Sequence, residues 1–309
     1  MTTFTTLPKK TWKGKEQKAE DTVMKIEDAR DTDIIIPVMG PTGVGKSTFI
    51  NVAAGQEKTA VGHRLTSCTA NLQHIIIPYP GDPDRRIIFV DTPGFDDTSV
   101  DDAEILRRIA VWLARSYSDR VKLAGVLYLY NIAIPRFTGT TRKTLELFQK
   151  LCGDDACRGV ILVTTHWAKC DPQQGQSRED ELSTSFFSNM LDHGATCTRF
   201  DLSPQSAWDI INLIVDGEPL DALHIQKELV DLKKRIPETE AAACLRSELQ
   251  TLLVKHENIL RSQKKPKDMN LQEIQELKDV QKRMRALVAQ IDDLKAPWNR
   301  RVMKFFGLK

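Results

Sequence analysis

The sequence has no long apolar run and few features of an exported or nucleic-acid-binding protein. No stretch approaches about 18 consecutive apolar residues, and the N-terminus has no apolar segment typical of a secretion signal. The six cysteines form no C-x-x-C pair and lie within or beside apolar runs, so we expect buried free thiols rather than disulfides or zinc. The net charge of +2 gives no reason to expect a nucleic-acid partner. These absences predict a cytoplasmic protein.

The remaining composition is that of an ordinary globular protein. Hydrophobic residues make up 41% of the 309 positions and charged residues 28%. This length allows one sizeable core and an appendage.

The strongest pattern is a glycine-rich stretch at residues 40–47, which reads Gly-Pro-Thr-Gly-Val-Gly-Lys-Ser and matches G-x-x-x-x-G-K-[ST] at every fixed position. The apolar run 34–39 leads into it, as expected for a buried strand followed by a turn and a helix. Glycines let backbone N–H groups approach a polyphosphate, Lys46 would reach the β- and γ-phosphates, and the Ser47 hydroxyl would ligate Mg²⁺. The residues expected to contact the nucleotide are Gly40, Pro41, Thr42, Gly43, Val44, Gly45, Lys46, Ser47 and Thr48.

Strand-like and helix-like runs alternate over the following residues. The predicted strands are 34–39, 72–77, 86–90, 124–130, 160–165 and 198–200, with the second and third forming a hairpin. The predicted helices are 48–54, 101–116, 140–151, 179–192 and 205–215. This alternation predicts an α/β fold: a P-loop G domain with a mainly parallel six-stranded sheet flanked by helices, and a C-terminal α-helical extension.

Composition divides the chain into three parts. Residues 1–32 are polar and predict a disordered arm, residues 33–222 form the G domain, and residues 223–309 form the helical extension. In the extension, apolar residues step by 3 and 4 over about three heptads, at Leu277, Val280, Met284, Leu287, Ile291 and Leu294. This seam predicts either a self-associating coiled coil or packing on the chain's own domain.

The C-terminal tail, residues 295–309, is basic and aromatic. Such a tail can make peripheral contact with a membrane, but docking of its aromatic residues on the helical extension is favoured.

A second motif, Asp91-Thr92-Pro93-Gly94, follows the strand 86–90 directly. An Asp at this strand end can hold a water bound to Mg²⁺, and the Gly94 N–H can contact the γ-phosphate. A phosphate loop followed by D-x-x-G is much more specific than either motif alone.

With these motifs the chain resembles P-loop GTPases of the septin, Toc and GIMAP kind, and more closely fungal G-domain proteins that share D-T-P-G-F-D. The resemblance covers about residues 33–215 and implies GTP or GDP with Mg²⁺ as ligands. It also implies that Thr69, with Thr66 as the alternative, contacts Mg²⁺ and the γ-phosphate, and that G domains pair across the nucleotide. The predicted metal ligands are Ser47, Thr69 and Asp91, and the predicted catalytic residues are Lys46, Thr69 and Gly94.

The chain lacks the Gln that Ras-type GTPases use to position water after D-x-x-G. Phe95, Asp96 and Asp97 follow Gly94, and the apolar Phe95 cannot polarise water. Asp96 and Asp97 are candidate bases, although adjacent carboxylates are more often solvated or cap helices. We therefore expect slow hydrolysis in the monomer.

The base-reading motifs also depart from the common pattern. After the fifth predicted strand the chain has Thr165-His166-Trp167 where many GTPases have N/T-K-x-D. The resemblance to Toc proteins implies that His166 stacks on guanine or bonds to it, supported by Thr165; Trp167 either covers the ring or belongs to the core. In the last motif, residues 199–207, only backbone N–H groups and Ser203 are available for the base.

Residues 136–138, Arg-Phe-Thr, resemble a GIMAP-type stretch near the nucleotide or the dimer face. A surface arginine beside a structural phenylalanine is the equally favoured alternative.

The sequence thus predicts a GTP-binding protein with slow Mg²⁺-dependent hydrolysis that acts as a self-associating switch, as a homodimer through the G domain or the C-terminal helices. The alternatives are a non-catalytic nucleotide-binding scaffold that presents its helices to a partner, and a P-loop ATPase.

Overall fold

The computed structural model describes residues 30–56, 72–80, 82–95, 102–218 and 220–244, together with the helical positions 250, 251, 254, 274–282, 284 and 285. Several predicted features lie outside these residues: Thr66, Thr69, Asp96, Asp97, the last three seam positions, the C-terminal tail and most of the N-terminal arm.

Six strands form one sheet. They are β1 (Ile34–Met39), β2 (Gln73–Tyr79), β3 (Asp82–Asp91), β4 (Val126–Asn131), β5 (Val160–Thr165) and β6 (Thr196–Arg199). Their spatial order is β2-β3-β1-β4-β5-β6, and every neighbouring pair is parallel except the antiparallel hairpin β2–β3. The predicted six-stranded, mainly parallel sheet is confirmed.

Seven α-helices accompany these strands up to residue 226 of the described chain. They are α1 (Lys46–Ala54), α2 (Asp102–Ser118), α3 (Gly139–Cys152), α4 (Pro172–Glu181), α5 (Ser188–Asp192), α6 (Pro204–Val215) and α7 (His224–Gln226). Short 3-10 turns lie at Asp154–Gly159, Trp167–Lys169 and Ile236–Glu238, and single π-helical turns at Leu182–Phe186 and Lys227–Asp231.

Helices cover both faces of the sheet, which explains why β1 and β5 are buried at every position. One apolar cluster packs α2, α3 and α5 against one face, and a second packs α1 and α6 against the other. The carboxyl ends of the parallel strands therefore meet at one edge, the usual place for a ligand in such sheets.

The predicted bounds differ from the structure at several elements, most of all at the helix after β5. The predicted helix 179–192 begins earlier, at Pro172, because Asp171 caps it and accepts hydrogen bonds from the Gln173 and Gln174 N–H groups. It is then interrupted by the π-helical turn at 182–186. The last strand ends at Arg199 rather than continuing to residue 200.

Residues 220–244 pack on the G domain. Leu223, Ile225 and Ile236 belong to the same apolar cluster as α2 and α3. The Gln226 amide donates a 3.0 Å hydrogen bond to the Leu113 carbonyl of α2. The predicted boundary between residues 222 and 223 therefore falls inside a segment that shares the core of the G domain.

Residues 274–282, 284 and 285 are helical, in agreement with the predicted extension. Val280 of the predicted seam is 5% exposed within the single chain, so the chain itself covers part of that seam. In the described part of the chain, the helices are all too short or too polar to cross a membrane.

Five of the six cysteines lie among the described residues, and all five are free thiols. Cys152, Cys157 and Cys244 are buried, as predicted, whereas Cys170 and Cys197 are half-buried.

Candidate nucleotide-binding site

The phosphate loop follows β1 at the carboxyl edge of the sheet. Gly40, Gly43 and Gly45 have φ of 136°, 79° and 97°, in the region that favours glycine. A Cβ on Gly40 would lie 2.4 Å from the Leu129 carbonyl oxygen of β4, so no larger residue fits there. Gly45 precedes α1 and supplies no side-chain cap, so the first N–H groups of α1 are left to bind an anion.

Lys46 curls back over this loop. Its Nζ donates hydrogen bonds to the carbonyl oxygens of Gly40 (3.0 Å) and Pro41 (2.9 Å), and the residue is 7% exposed. The ammonium group is therefore held inside the loop in which the predicted phosphates would lie.

Ser47 and Asp91 lie side by side at the ends of two neighbouring elements. The Ser47 hydroxyl donates a 2.8 Å hydrogen bond to Asp91 Oδ2, and the Asp91 residue at the end of β3 is fully buried. A hydroxyl and a carboxylate are the hard oxygen ligands that Mg²⁺ accepts while it keeps several waters. These two predicted metal ligands fit a Mg²⁺ site.

The D-x-x-G loop is joined directly to the phosphate loop. The Thr42 N–H donates to the Phe95 carbonyl (3.0 Å), and the Thr42 hydroxyl donates to the Gly94 carbonyl (3.3 Å). Residues 41 and 95 also form a parallel bridge. The two loops are therefore directly connected through residues 41, 42, 94 and 95.

Phe95 is part of the core rather than the reacting edge. Its side chain is 1% exposed and belongs to the cluster beneath α2. This burial explains why an apolar residue stands where Ras-type GTPases carry their water-positioning Gln.

Thr165 supports His166 beside the phosphate loop. The Thr165 Oγ1 lies 2.8 Å from the Val44 carbonyl oxygen, 3.1 Å from that of Tyr130 and 2.9 Å from His166 Nδ1. One hydroxyl proton serves a carbonyl oxygen, so His166 Nδ1 must donate to Thr165. This leaves His166 Nε2 as an acceptor.

His166 adopts φ of 61°, and its ring passes close to Gly45: a Cβ built there would lie 3.5 Å from His166 Cε1. Burial, with a smaller contribution from the Lys169 cation, lowers the pKa of His166 below its usual value. This shift favours the neutral imidazole, whose Nε2 offers one lone pair to a base. The contact with guanine itself stays a prediction.

Trp167 is engaged by the protein. Its indole N–H donates to Thr164, and the Arg199 guanidinium lies 4.0 Å from the ring centroid. These contacts favour the structural alternative for Trp167 over a cover for the base.

Ser203 is the N-cap of α6. Its hydroxyl donates to Asp201 Oδ1 (2.6 Å) and accepts from the Ser206 N–H (3.1 Å). Hydrogen bonds from Ser203 and Ser206 in turn lower the pKa of Asp201. The hydroxyl is thus used by the cap, and the backbone N–H groups of Asp201, Ser203 and Ser206 donate to side chains of the same loop. The predicted contact of Ser203 with the base stays a prediction.

The Arg-Phe-Thr stretch after β4 is divided in role. Phe137 stacks on Phe186 with centroids 3.8 Å apart, and Thr138 caps α3. Arg136 is exposed and, within the described part of the chain, forms no ion pair. The phenylalanine is structural, and the arginine is available at the surface.

A second group of potential metal ligands lies in the segment that packs on α3: His224, Glu228 and Glu240. Its carboxylates already have cationic partners, since Lys234 lies 2.9 Å from Glu228 and Lys150 lies 3.3 Å from Glu240. We interpret this group as an ion-pair network that fixes the segment to the G domain.

The chain is similar in sequence to several known GTPases. Residues 35–163 match the family described as 50S ribosome-binding GTPase. The chain is 30% identical over 148 residues to Translocase of chloroplast 90 of Arabidopsis thaliana, covering 48% of this chain and 18% of that protein. It is 27% identical over 128 residues to GTPase Era of Thermotoga petrophila, covering 41% of this chain and 38% of that protein. The matches thus span much less than two thirds of either relative.

A solved structure shares the fold. It concerns the chloroplast translocon components atToc33 and psToc159, for whose GTPase activity dimerization is described as important. That structure is 15% identical to this chain, the match covers 62% of this chain and 87% of the other, and the TM-score is 0.50. The comparisons agree with the predicted resemblance to P-loop GTPases of the Toc kind. The septin, GIMAP and fungal parts of that resemblance stay predictions.

Proposed function

We propose that this chain, which has the fold of a P-loop G domain, binds GTP and GDP with Mg²⁺, hydrolyses GTP slowly and acts as a self-associating switch. One observation carries this proposal: the Ser47 hydroxyl and the Asp91 carboxylate meet at 2.8 Å beside a phosphate loop that is bonded to the D-x-x-G loop. Guanine is supported by the relatives, whose names describe GTPases.

The residues have separable roles in this proposal. Backbone N–H groups of residues 43–48 and the Lys46 ammonium bind the β- and γ-phosphates. Ser47, through its hydroxyl, and Asp91, through its carboxylate, would hold Mg²⁺. The ion would supply positive charge beside the phosphate oxygens. Gly94 donates its N–H to the γ-phosphate, so loss of that phosphate releases the D-x-x-G loop.

Slow turnover follows from what surrounds Gly94. Phe95 is buried, and no Gln occurs between residues 91 and 97 to orient water. We propose that a second protomer completes the site, with the exposed Arg136 as the candidate contact. Dimerization is described as important for the activity of the translocon GTPases, which is a property of those proteins. It supports a role for a second protomer here only through the shared fold.

The decisive experiment is GTP turnover per protein molecule measured over a 100-fold range of protein concentration. Turnover that rises with concentration, and loses that rise in Arg136→Ala, supports assembly-completed hydrolysis. The control is Arg120→Ala, another exposed arginine in the described chain. Turnover that is absent at every concentration, despite tight GTP binding, would favour the non-catalytic scaffold instead.

The P-loop ATPase remains the other alternative, because no Asp stands after β5 where many GTPases read guanine. Competition between GTP and ATP for the nucleotide-free protein separates the two. The cytoplasmic localisation, the coiled coil and the absence of a nucleic-acid partner remain proposals as well.

A further inference from the structure

Four side chains behind His166 form a closed ring of contacts, which we call the base-loop clamp: Thr164, Trp167, Glu179 and Arg199. The indole N–H of Trp167 donates to the Thr164 carbonyl (3.2 Å) and hydroxyl (3.1 Å). The Thr164 hydroxyl lies 3.1 Å from Glu179 Oε1 as a donor. The ring is closed by Arg199, which bonds to Glu179 and stacks on Trp167.

Arg199 is the member that joins the others. Its Nε lies 2.9 Å from Glu179 Oε2, a terminal nitrogen also bonds to that carboxylate, and the same nitrogen donates to Gln176 (2.6 Å). Its flat face lies over the indole at 4.0 Å. Only a planar guanidinium can pair with a carboxylate at two points and stack on a ring at the same time.

The indole ring of Trp167 also packs closely against the backbone of Gly175. A Cβ on Gly175 of α4 would lie 2.7 Å from Trp167 Cζ3. The indole is therefore packed against α4 and has little freedom to move while Arg199 holds its face.

The clamp lies where the two base-reading loops begin. Trp167 directly follows His166, and Arg199 is the last residue of β6, two positions before Asp201. His166 has a left-handed backbone, which is unfavourable for a residue with a side chain and persists only where its surroundings hold it. Thr165 is hydrogen-bonded to the His166 ring, and Trp167, the next residue, fixes the backbone that follows His166.

We propose that Arg199 is a positioning residue for base recognition: by holding Trp167 it keeps His166 in the orientation that presents Nε2 to the base. This inference rests on the proposed function and on the predicted contact of His166 with guanine. Arg199 does not itself need to touch the nucleotide.

The exposure of the pair makes the inference testable. The Arg199 side chain is 46% exposed, and exposed ion pairs add little to stability. Arg199→Ala should therefore fold, which circular dichroism and thermal unfolding can verify. Arg235, which pairs with Glu238 and is 73% exposed, gives the matched control Arg235→Ala.

The experiment measures affinity of the full chain for Mg²⁺-GDP and for Mg²⁺-tripolyphosphate, which has no base. A single neutral hydrogen bond corresponds to about a 2- to 10-fold change in affinity. We expect Arg199→Ala to lower the affinity for GDP by that factor and to leave the affinity for tripolyphosphate unchanged. Arg199→Lys, which keeps the charge but loses the stack on Trp167, should give the same result. Arg235→Ala should bind both as the wild type does.

A double variant decides whether Arg199 acts through His166. If it does, His166→Ala with Arg199→Ala binds GDP no more weakly than His166→Ala alone. Additive losses, full rescue by Arg199→Lys, or an equal loss of tripolyphosphate binding would overturn the positioning role. Glu179→Gln, which removes the other half of the pair, should repeat the Arg199→Ala result and guards against an artefact of one variant.

Failure of the proposed function gives a different pattern. If the wild type does not prefer GDP to ADP, or if His166→Ala has no effect, base reading by His166 is wrong and the inference falls with it. If His166→Ala weakens GDP and Arg199→Ala does not, only the positioning role is wrong.

Discussion

Gly94 is packed so closely against Thr42 that an added Cβ would lie 2.5 Å from Thr42 Oγ1 and 2.6 Å from its backbone nitrogen. Because Thr42 lies in the phosphate loop, the two nucleotide-sensing loops touch through a position that tolerates no side chain. The D-x-x-G glycine is therefore required by packing as well as by its proposed contact with the γ-phosphate.

Gly94→Ala should push the two loops apart and remove the γ-phosphate contact selectively. One hydrogen bond to a charged group contributes about 1.5–3 kcal/mol, so affinity for a slowly hydrolysed GTP analogue should fall about 10- to 100-fold. GDP affinity should change little. Gly139→Ala is the control, since nothing lies within 4 Å of its added Cβ. Calorimetry that shows the same loss for GDP and the analogue would contradict this role.

Lys46→Ala should abolish nucleotide binding and leave the fold intact. The variant loses a cation from the loop and two hydrogen bonds to carbonyl oxygens of its own chain. We expect at least about a 100-fold loss of GDP affinity, since several charge-assisted hydrogen bonds are removed together. Lys150→Ala, on an exposed ion pair, is the control. Unchanged affinity would remove the central assignment of the phosphate loop.

Ser47→Ala should uncouple nucleotide binding from Mg²⁺. The variant keeps the backbone donors of the loop but loses the hydroxyl that lies 2.8 Å from Asp91 Oδ2. GDP affinity of the wild type should rise with Mg²⁺ by about 10-fold or more, while that of the variant should stay nearly flat. In excess chelator the two proteins should bind alike. An undiminished Mg²⁺ response in the variant would show that the metal is held elsewhere.

The neutral state of His166 predicts a pH dependence of base recognition. An imidazole titrates near pH 6.5 in the unfolded chain, and burial lowers the pKa of His166 below that value. Recognition should therefore be complete at pH 7–8 and be lost as pH falls through the lowered pKa, because Nε2 then becomes a donor. The ratio of GDP affinity to tripolyphosphate affinity measures this when it is divided by the same ratio for His166→Ala, because the ligands titrate identically in both measurements. A quotient that rises on acidification would refute the assigned tautomer.

The centre of the sheet was predictable because β1, β4 and β5 are mainly apolar runs. β5 begins and ends where the sequence places it, and the hairpin β2–β3 follows from its turn-rich connection. The helix after β5 was misplaced because its starting signal, Asp171-Pro172, precedes a polar segment without a clear apolar face. The π-helical turn at 182–186 has no simple sequence signal.

The residues of the candidate site were likewise only partly predictable from the sequence. Lys46, Ser47 and Asp91 were identified from spacing, since their chemistry requires a fixed order along the chain. The base-loop clamp could not be predicted from spacing along the sequence, because Thr164, Glu179 and Arg199 meet only after α4 and β6 have packed beside β5. Ser203-Pro204 is a helix-starting pair, so the sequence already signals the cap of α6, while the base contact of Ser203 stays a prediction.

The most direct test of nucleotide identity is calorimetric titration of the nucleotide-free full chain with GDP, a slowly hydrolysed GTP analogue and ATP, each with Mg²⁺. Tight binding of the two guanine nucleotides, with ATP at least about 100-fold weaker, is the expected result and would give His166 the role usually filled by Asp. Equal or stronger binding of ATP would contradict the assignment as a GTPase, despite the Asp91-Thr92-Pro93-Gly94 motif.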